Sequence, residues 1–197
     1  MKKLILGTLL AFTLLQADKL IIDFENFHIG DLPSNWTTVS KWGVEEKNSN
    51  KIVSMLKRDS SYNLCFNKNI KFKDGKISVK FKANSGSYDQ GGGIMWRVQD
   101  KNNYYVARFN PLEDNFRFYK VIHGYRIELA SANINLNKGW HSMSIVQNKD
   151  HFSGYLDGKK LLNFSDNSIS KSGAVGIWTK ADANTSFDNL IITSQIN

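Results

Sequence analysis

Four of the five arginines in this chain, Arg97, Arg108, Arg117 and Arg126, lie between residues 91 and 130, while positive charge elsewhere rests on lysine, with Arg58 the one other exception. A guanidinium is a planar fork that forms paired hydrogen bonds to carboxylates, phosphates or vicinal hydroxyls, and its plane stacks on aromatic rings. Tyr104 and Tyr119 are interleaved with these arginines. Polar forks beside rings are what a polyhydroxylated ligand needs, with hydroxyls for the forks and C–H faces for the rings. A merely solvated face in a chain that prefers lysine would be built from Lys, Glu and Thr.

The elements that position these residues are strands. Val, Ile, Phe, Tyr, Trp and Thr recur in runs of about five to eight residues bounded by Asn, Asp, Gly and Ser. The pattern predicts strands near 20–24, 42–46, 51–57, 62–66, 76–83, 93–99, 104–110, 115–122, 125–131, 140–147, 151–156, 159–164, 174–180 and 185–193. No segment has helical periodicity, so the expectation is one all-β domain, a two-sheet antiparallel sandwich.

Side chains alternate faces along a strand and opposed residues share a face, which sets the hairpin registers. The turn 111–114 pairs Asn110 with Asn115 and so Arg108 with Arg117. The His123-Gly124 turn pairs Val121 with Arg126 and Tyr119 with Glu128, and Phe118 with Leu129. Pairing Gln99 with Tyr104 opposes Arg97 to Val106. One face then carries Ile94, Trp96, Val98, Tyr105, Phe109, Phe116, Phe118, Ile122, Ile127 and Leu129, the expected core side, with Lys120 as the exception. All four arginines, with Tyr104, Asn110, Tyr119 and Glu128, fall on the other. Trp178 and Lys180 are expected beside them. On this reading Arg108 is a surface residue facing a like charge, and its loss should scarcely disturb folding.

The first 17 residues, two lysines, an apolar run and Ala17, have the layout of a secretory signal peptide, so the expected mature domain is 18–197, periplasmic or secreted. The apolar run is too short to span a bilayer, so no transmembrane anchor is expected. Losing Lys2 and Lys3 takes the net charge from +8 to +6. That is small for a polyanion partner, and nucleic acid is not expected. The single Cys65 has no partner for a disulfide and sits at strand spacing, as a core thiol would.

The segments "DFENFHIGDLPSNW", "SGSYDQGGGIMWRVQDKNNYYVARFNPLEDNFRFYK", "GWHSMSIVQNKDHFSGYLDGKKLL" and "GAVGIWTKADANTSFDNLII" resemble secreted bacterial domains of the concanavalin A-like lectin/glucanase fold. Within it they are most similar to the 3-keto-disaccharide hydrolase-type, laminin-G-like group. The resemblance implies a jelly roll whose concave sheet holds a carbohydrate at Arg97, Arg108, Asn110, Tyr119 and Trp178. It also implies a structural Ca²⁺, for which Asp23 and Asp188 are the candidate ligands, and no required cofactor. Three activities are compatible with the group: sugar binding, a glycoside hydrolase or lyase acting on 3-keto-disaccharides, and a non-catalytic laminin-G-like contact with protein.

A retaining glycosidase needs two carboxylates about 5 Å apart, usually from a Glu-x-Asp-x-x-Glu strand that this sequence lacks. Glu128 is the one acid placed on the arginine face, and Asp89 and Asp182 could reach its rim from loops. Glu113 and Asp114 lie in a tight turn, where local hydrogen bonding is the expected role. There is no Gly-x-Ser-x-Gly elbow, no phosphate-binding glycine loop and no Cys/His metal spacing.

Overall fold

The computed structural model describes residues 18–58 and 60–194, all of whose regular elements are strands. The expected signal peptide and its cleavage point lie outside these residues. One sheet runs β13 (Lys159–Ser165), β12 (His151–Leu156), β11 (His141–Asn148), β6 (Gly75–Ser85), β15 (Asn184–Ser194), β4 (Asn50–Lys57), β3 (Lys41–Lys47), with β1 (Lys19–Ile22) also paired to β15. The other runs β10 (Tyr125–Asn133), β9 (Asn115–Ile122), β8 (Asn103–Asn110), β7 (Gly92–Asp100), β14 (Gly173–Lys180), β5 (Tyr62–Phe72), β2 (Trp36–Val39). All these strand pairs are antiparallel. The result is the expected two-sheet jelly-roll sandwich.

Each predicted strand is present, and β2 is one more: a four-residue edge strand in "WTTV", too short to stand out after Pro33. The inter-sheet core is aromatic. Trp96 stacks on Tyr105 at 5.5 Å, and Phe118 and Phe152 meet Trp96 edge-on. Each such ring, fully buried, contributes roughly 1.5–3 kcal/mol. The core also takes Cys65, whose thiol burial pushes well above its ordinary range. Gly154 makes room for these rings, since a Cβ there would come within 2.7 Å of Phe118.

The hairpins follow the expected registers over most of their length. Asn110 opposes Asn115, Arg108 opposes Arg117, and Val106 opposes Tyr119. Val121 opposes Arg126 and Tyr119 opposes Glu128, after which a bulge sets Phe118 against Ala130 and not Leu129. Between β7 and β8 the expectation fails: Met95, not Arg97, opposes Val106, and the register shifts between Trp96 and Asp100. The cause is Arg97, whose φ of 47° makes a bulge. Beyond it the alternation inverts, so Val98, expected in the inter-sheet core, packs with Ala174 on the opposite face. Ile127 is half exposed, and Lys120 opposite it reaches Asp166 at 2.7 Å.

Candidate functional site

The outer face of the seven-stranded sheet has two layers. The lower is apolar and aromatic: Leu64, Phe66, Met95, Tyr104, Val106, Tyr119, Val121 and Trp178 form a second cluster separate from the inter-sheet core. Tyr104 and Trp178, expected as exposed rings, lie wholly inside it because each satisfies the other: the Trp178 Nε1–H donates to the Tyr104 hydroxyl at 3.1 Å. Burial pushes the Tyr104 phenol up, so it remains neutral. The Arg126 guanidinium lies 4.4 Å from the Tyr119 ring centre and is also near Tyr62 and Trp178.

The upper layer is an alternating line of charges. Lys180 approaches Asp89 at 3.3 Å, and the two Asp89 oxygens accept from Arg108 Nη2 at 2.9 Å each. Glu113 then bridges the two opposed arginines, with Oε1 3.4 Å from Arg108 Nη2 and Oε2 3.0 Å from Arg117 Nη1. Arg117 Nε reaches Glu128 at 3.3 Å, and its Nη1 donates to the Tyr119 hydroxyl. The expected Arg108–Arg117 repulsion is thus relieved by a residue from the turn between their strands. Glu113, expected to make local hydrogen bonds in its turn, does so with Asn115 and also spans the two arginines. The signal for that span was available: Glu113 is four residues before Arg117, in the one loop that both arginines adjoin.

Arg108 is 1 % exposed and is no surface residue. Burial would lower its basicity, but the paired Asp89 charge prevails and raises it. Asp89 is equally buried and belongs to the loop before β7. Asp182 fixes that loop by accepting from the backbone N–H groups of Ser87, Tyr88 and Asp89 at 2.7 to 3.0 Å. It therefore positions Asp89 and does not itself enter the charged line. The glycines that follow allow close passage: Gly91 has φ 91°, and a Cβ on Gly93 would sit 1.9 Å from the Ala107 carbonyl.

Arg97 is not part of this face. Its Nε donates to the Lys73 carbonyl, its Nη1 to the Ile169 carbonyl, and its Nη2 to the Lys149 carbonyl and to Asp74. Burial lowers the basicity of Arg97, partly offset by Asp74. It ties three loops to the sheet and is removed from the candidate ligand set. Asn110 and Asn115 do lie on the face: Asn110 Oδ1 accepts from the Leu112 N–H, and Asn115 Nδ2 donates to Glu113. Among the described residues, four buried side-chain atoms find no hydrogen-bond partner, and all four belong here: Arg108 Nε, Asn110 Nδ2, Asn115 Oδ1 and Arg126 Nη1.

The acids do not form an acid–base couple. Asp89 and Glu113 meet on one nitrogen, at 2.9 and 3.4 Å, and a retaining enzyme needs its two carboxyls about 5 Å apart with one of them protonated. Partial burial would raise the Glu113 carboxyl, but the bond from Asn115 and the Arg108 and Arg117 charges outweigh it and take it down to about 2. It is ionised at neutral pH and has no proton to donate. A folded value below the ordinary 4.5 stabilises the fold above that pH, and the contribution is lost as pH falls from about 4.5 towards 2. The side chain is 43 % exposed, so after screening the effect is about 1 kcal/mol. Melting temperatures of the wild type and Glu113→Gln should therefore differ at pH 6 and converge towards pH 2. A constant difference would assign the bridge no electrostatic role.

The metal candidates are separate from this face. Asp23 Oδ1 accepts from the Glu25 N–H. Asp188, 6 % exposed, accepts from the Asn189 N–H, the Asn189 amide and the Asn50 amide. Its carboxyl is raised by burial despite these bonds. No group of three or more His, Cys, Asp or Glu among the described residues could hold a metal ion. Nor is any helix there long and apolar enough to cross a membrane.

Two antiparallel sheets with a polar, aromatic outer face define a concanavalin A-like domain of the lectin and glucanase type. More narrowly, the model of the 3-keto-alpha-glucoside-1,2-lyase-like domain matches residues 24–193, and the chain belongs to that family. Its fold is similar to the carbohydrate binding module CBM66 from Bacillus subtilis, at 20% identity over 80% of this chain and 95% of that one, with a TM-score of 0.68. A native glycosidic hydrolase gives 16% identity, 92% and 97% coverage and a TM-score of 0.63. The β-glucanase of Bacillus licheniformis gives 10%, 92% and 99%, and 0.60. A search of curated proteins returned no match.

Proposed function

We propose that this chain is an exported carbohydrate-binding domain, periplasmic or secreted, that holds a sugar on the outer face of the seven-stranded sheet. The observation that carries this reading is the location of the unpartnered buried polar atoms. Three donors and one acceptor, on Arg108, Asn110, Arg126 and Asn115, belong to the one face that also holds Arg117 and the Tyr119 ring. A buried polar atom without a partner costs about 1–3 kcal/mol, and sugar hydroxyls, each donor and acceptor, can complete such a set. The similarity to CBM66 supports the same reading. The second reading, a hydrolase or lyase acting on 3-keto-disaccharides, draws on the family and on the closeness of Asp89 to Glu113. Binding is preferred because Glu113 is held ionised and every acid on the face is already bound to a cation.

The test uses Arg117, which is 29 % exposed and whose main partners are the exposed acids Glu113 and Glu128. A glycan array on residues 18–197 identifies the ligand, and affinity and melting are then compared for wild type and Arg117→Ala. Loss of a charge-assisted hydrogen bond of ~1.5–3 kcal/mol weakens binding roughly ten- to a hundredfold, with Tm within a few degrees of wild type. Unchanged affinity for the array hit would remove this face as the site. Incubation of the hit with the domain and analysis of the products separates binding from turnover.

A further inference from the structure

The opposite side of the molecule has a groove that the arginine face does not explain. On β6, Ile77, Val79 and Phe81 point into the core, so Lys80 and Lys82 project from the outer face of the eight-stranded sheet. In register beside them on β15 are Asp188 and Ser186. The turn after β3, with Lys47 and Asn48, rises on one flank, and Trp140, just before β11, rises on the other. The space between is about 650 Å³, within the range of small-ligand sites. Part of its lining is Ile52, fully buried although it belongs to neither apolar cluster.

Trp140 is the decisive residue. The chain has five tryptophans; Trp36, Trp42, Trp96 and Trp178 are no more than 7 % exposed, and Trp140 is 44 % exposed. An indole left half in water beside a polar floor is a stacking platform for the C–H face of a sugar ring. The charges specify the sugar. Lys47 is paired with Glu45 and Asp157 with His141, while Lys80 has Asp188 in register beside it. Lys82 has no hydrogen-bond or ion-pair partner among the described residues, and Asn84 on the same strand face extends the polar lining beside it. We infer that this groove is a second binding site, specific for an acidic oligosaccharide that stacks a ring on Trp140 and places its carboxylate between Lys80 and Lys82.

The same tryptophan supplies the readout, because it alone is open to a soluble quencher. Acrylamide quenching is measured with tetragalacturonate as probe and maltotetraose as its neutral counterpart. Tetragalacturonate should protect Trp140, maltotetraose should not, and 0.5 M NaCl should weaken the protection. Lys80→Gln/Lys82→Gln alters two exposed side chains; it should leave the melting temperature unchanged and weaken the probe at least tenfold. Lys82→Gln alone should give a smaller loss in the same direction. Arg117→Ala, on the other sheet, should leave the protection intact, so failure of the first site and failure of this one are distinguishable. The inference is overturned by absence of protection at millimolar probe, by equal protection from maltotetraose or inorganic sulfate, or by protection that survives the double lysine change. It is also overturned if protection disappears in Arg117→Ala, which would return the sugar acid to the opposite face.

Discussion

Arg108→Ala should lower the stability of the domain by about 3–5 kcal/mol, because breaking a buried ion pair leaves an uncompensated charge inside. For a domain of this size that is a fall of roughly 10 °C in Tm. Arg108 and Asp89 are each 1 % exposed, and their two hydrogen bonds at 2.9 Å carry most of the neutralisation of Asp89. Lys180, at 3.3 Å, would be left as its one cation. Arg108→Lys should recover only part of the loss, since an ammonium on a different stem cannot reproduce the guanidinium contacts to Asp89 and Glu113 together. Removing both charges in Arg108→Met/Asp89→Leu should restore more than Arg108→Ala does. Thermal melts of the three variants check this, and a fall of under about 1 kcal/mol for Arg108→Ala would mean that water reaches the pair.

The second large effect is expected at Arg97. Arg97→Ala strands the carbonyls of Lys73 and Ile169 and removes the cation from the buried Asp74, while the Lys149 carbonyl keeps the Gln147 amide at 2.8 Å and Asp74 Oδ1 keeps the Lys149 N–H at 2.6 Å. Unsatisfied buried groups cost about 1–3 kcal/mol each where water cannot replace the donor, and the loops can relax partly, so about 3–4 kcal/mol is expected. The change should not weaken the sugar ligand on the folded domain, because Arg97 is absent from the charged line. Denaturant unfolding and affinity for the array hit measure the two parts. A Tm near wild type with weakened binding would put Arg97 back among the ligand residues.

The contrast between these residues shows what could be read before the structure. The β8–β9 hairpin was legible because alternation, a defined turn and paired phenylalanines, Phe109 opposite Phe116, all agree on one register. The bulge at Arg97 was not, since a non-glycine residue at positive φ is imposed by partners 23 to 72 positions away, which no local pattern records. A separation of 19 positions likewise concealed the Asp89–Arg108 pair. Alternation placed Arg108, Arg117 and Arg126 on one face, but it could not show that Tyr104 and Trp178 satisfy each other beneath it. The span of Glu113 between the arginines was missed because its turn was treated as a connection and not as an arm reaching over the sheet it connects.

The place of β15 has a consequence in time. It is the last described strand in the chain, yet it lies inside its sheet, between β6 and β4, with β1 also joined to it. A ribosome that has delivered everything up to β14 has made a sheet divided in two, its open edges available for the wrong pairing. Closing contacts between Lys19 and Thr193 spans nearly the whole described sequence, and such distant pairings form slowly. The nascent chain should therefore stay unfolded until β15 emerges, and a chain cut before Asn184 should not fold.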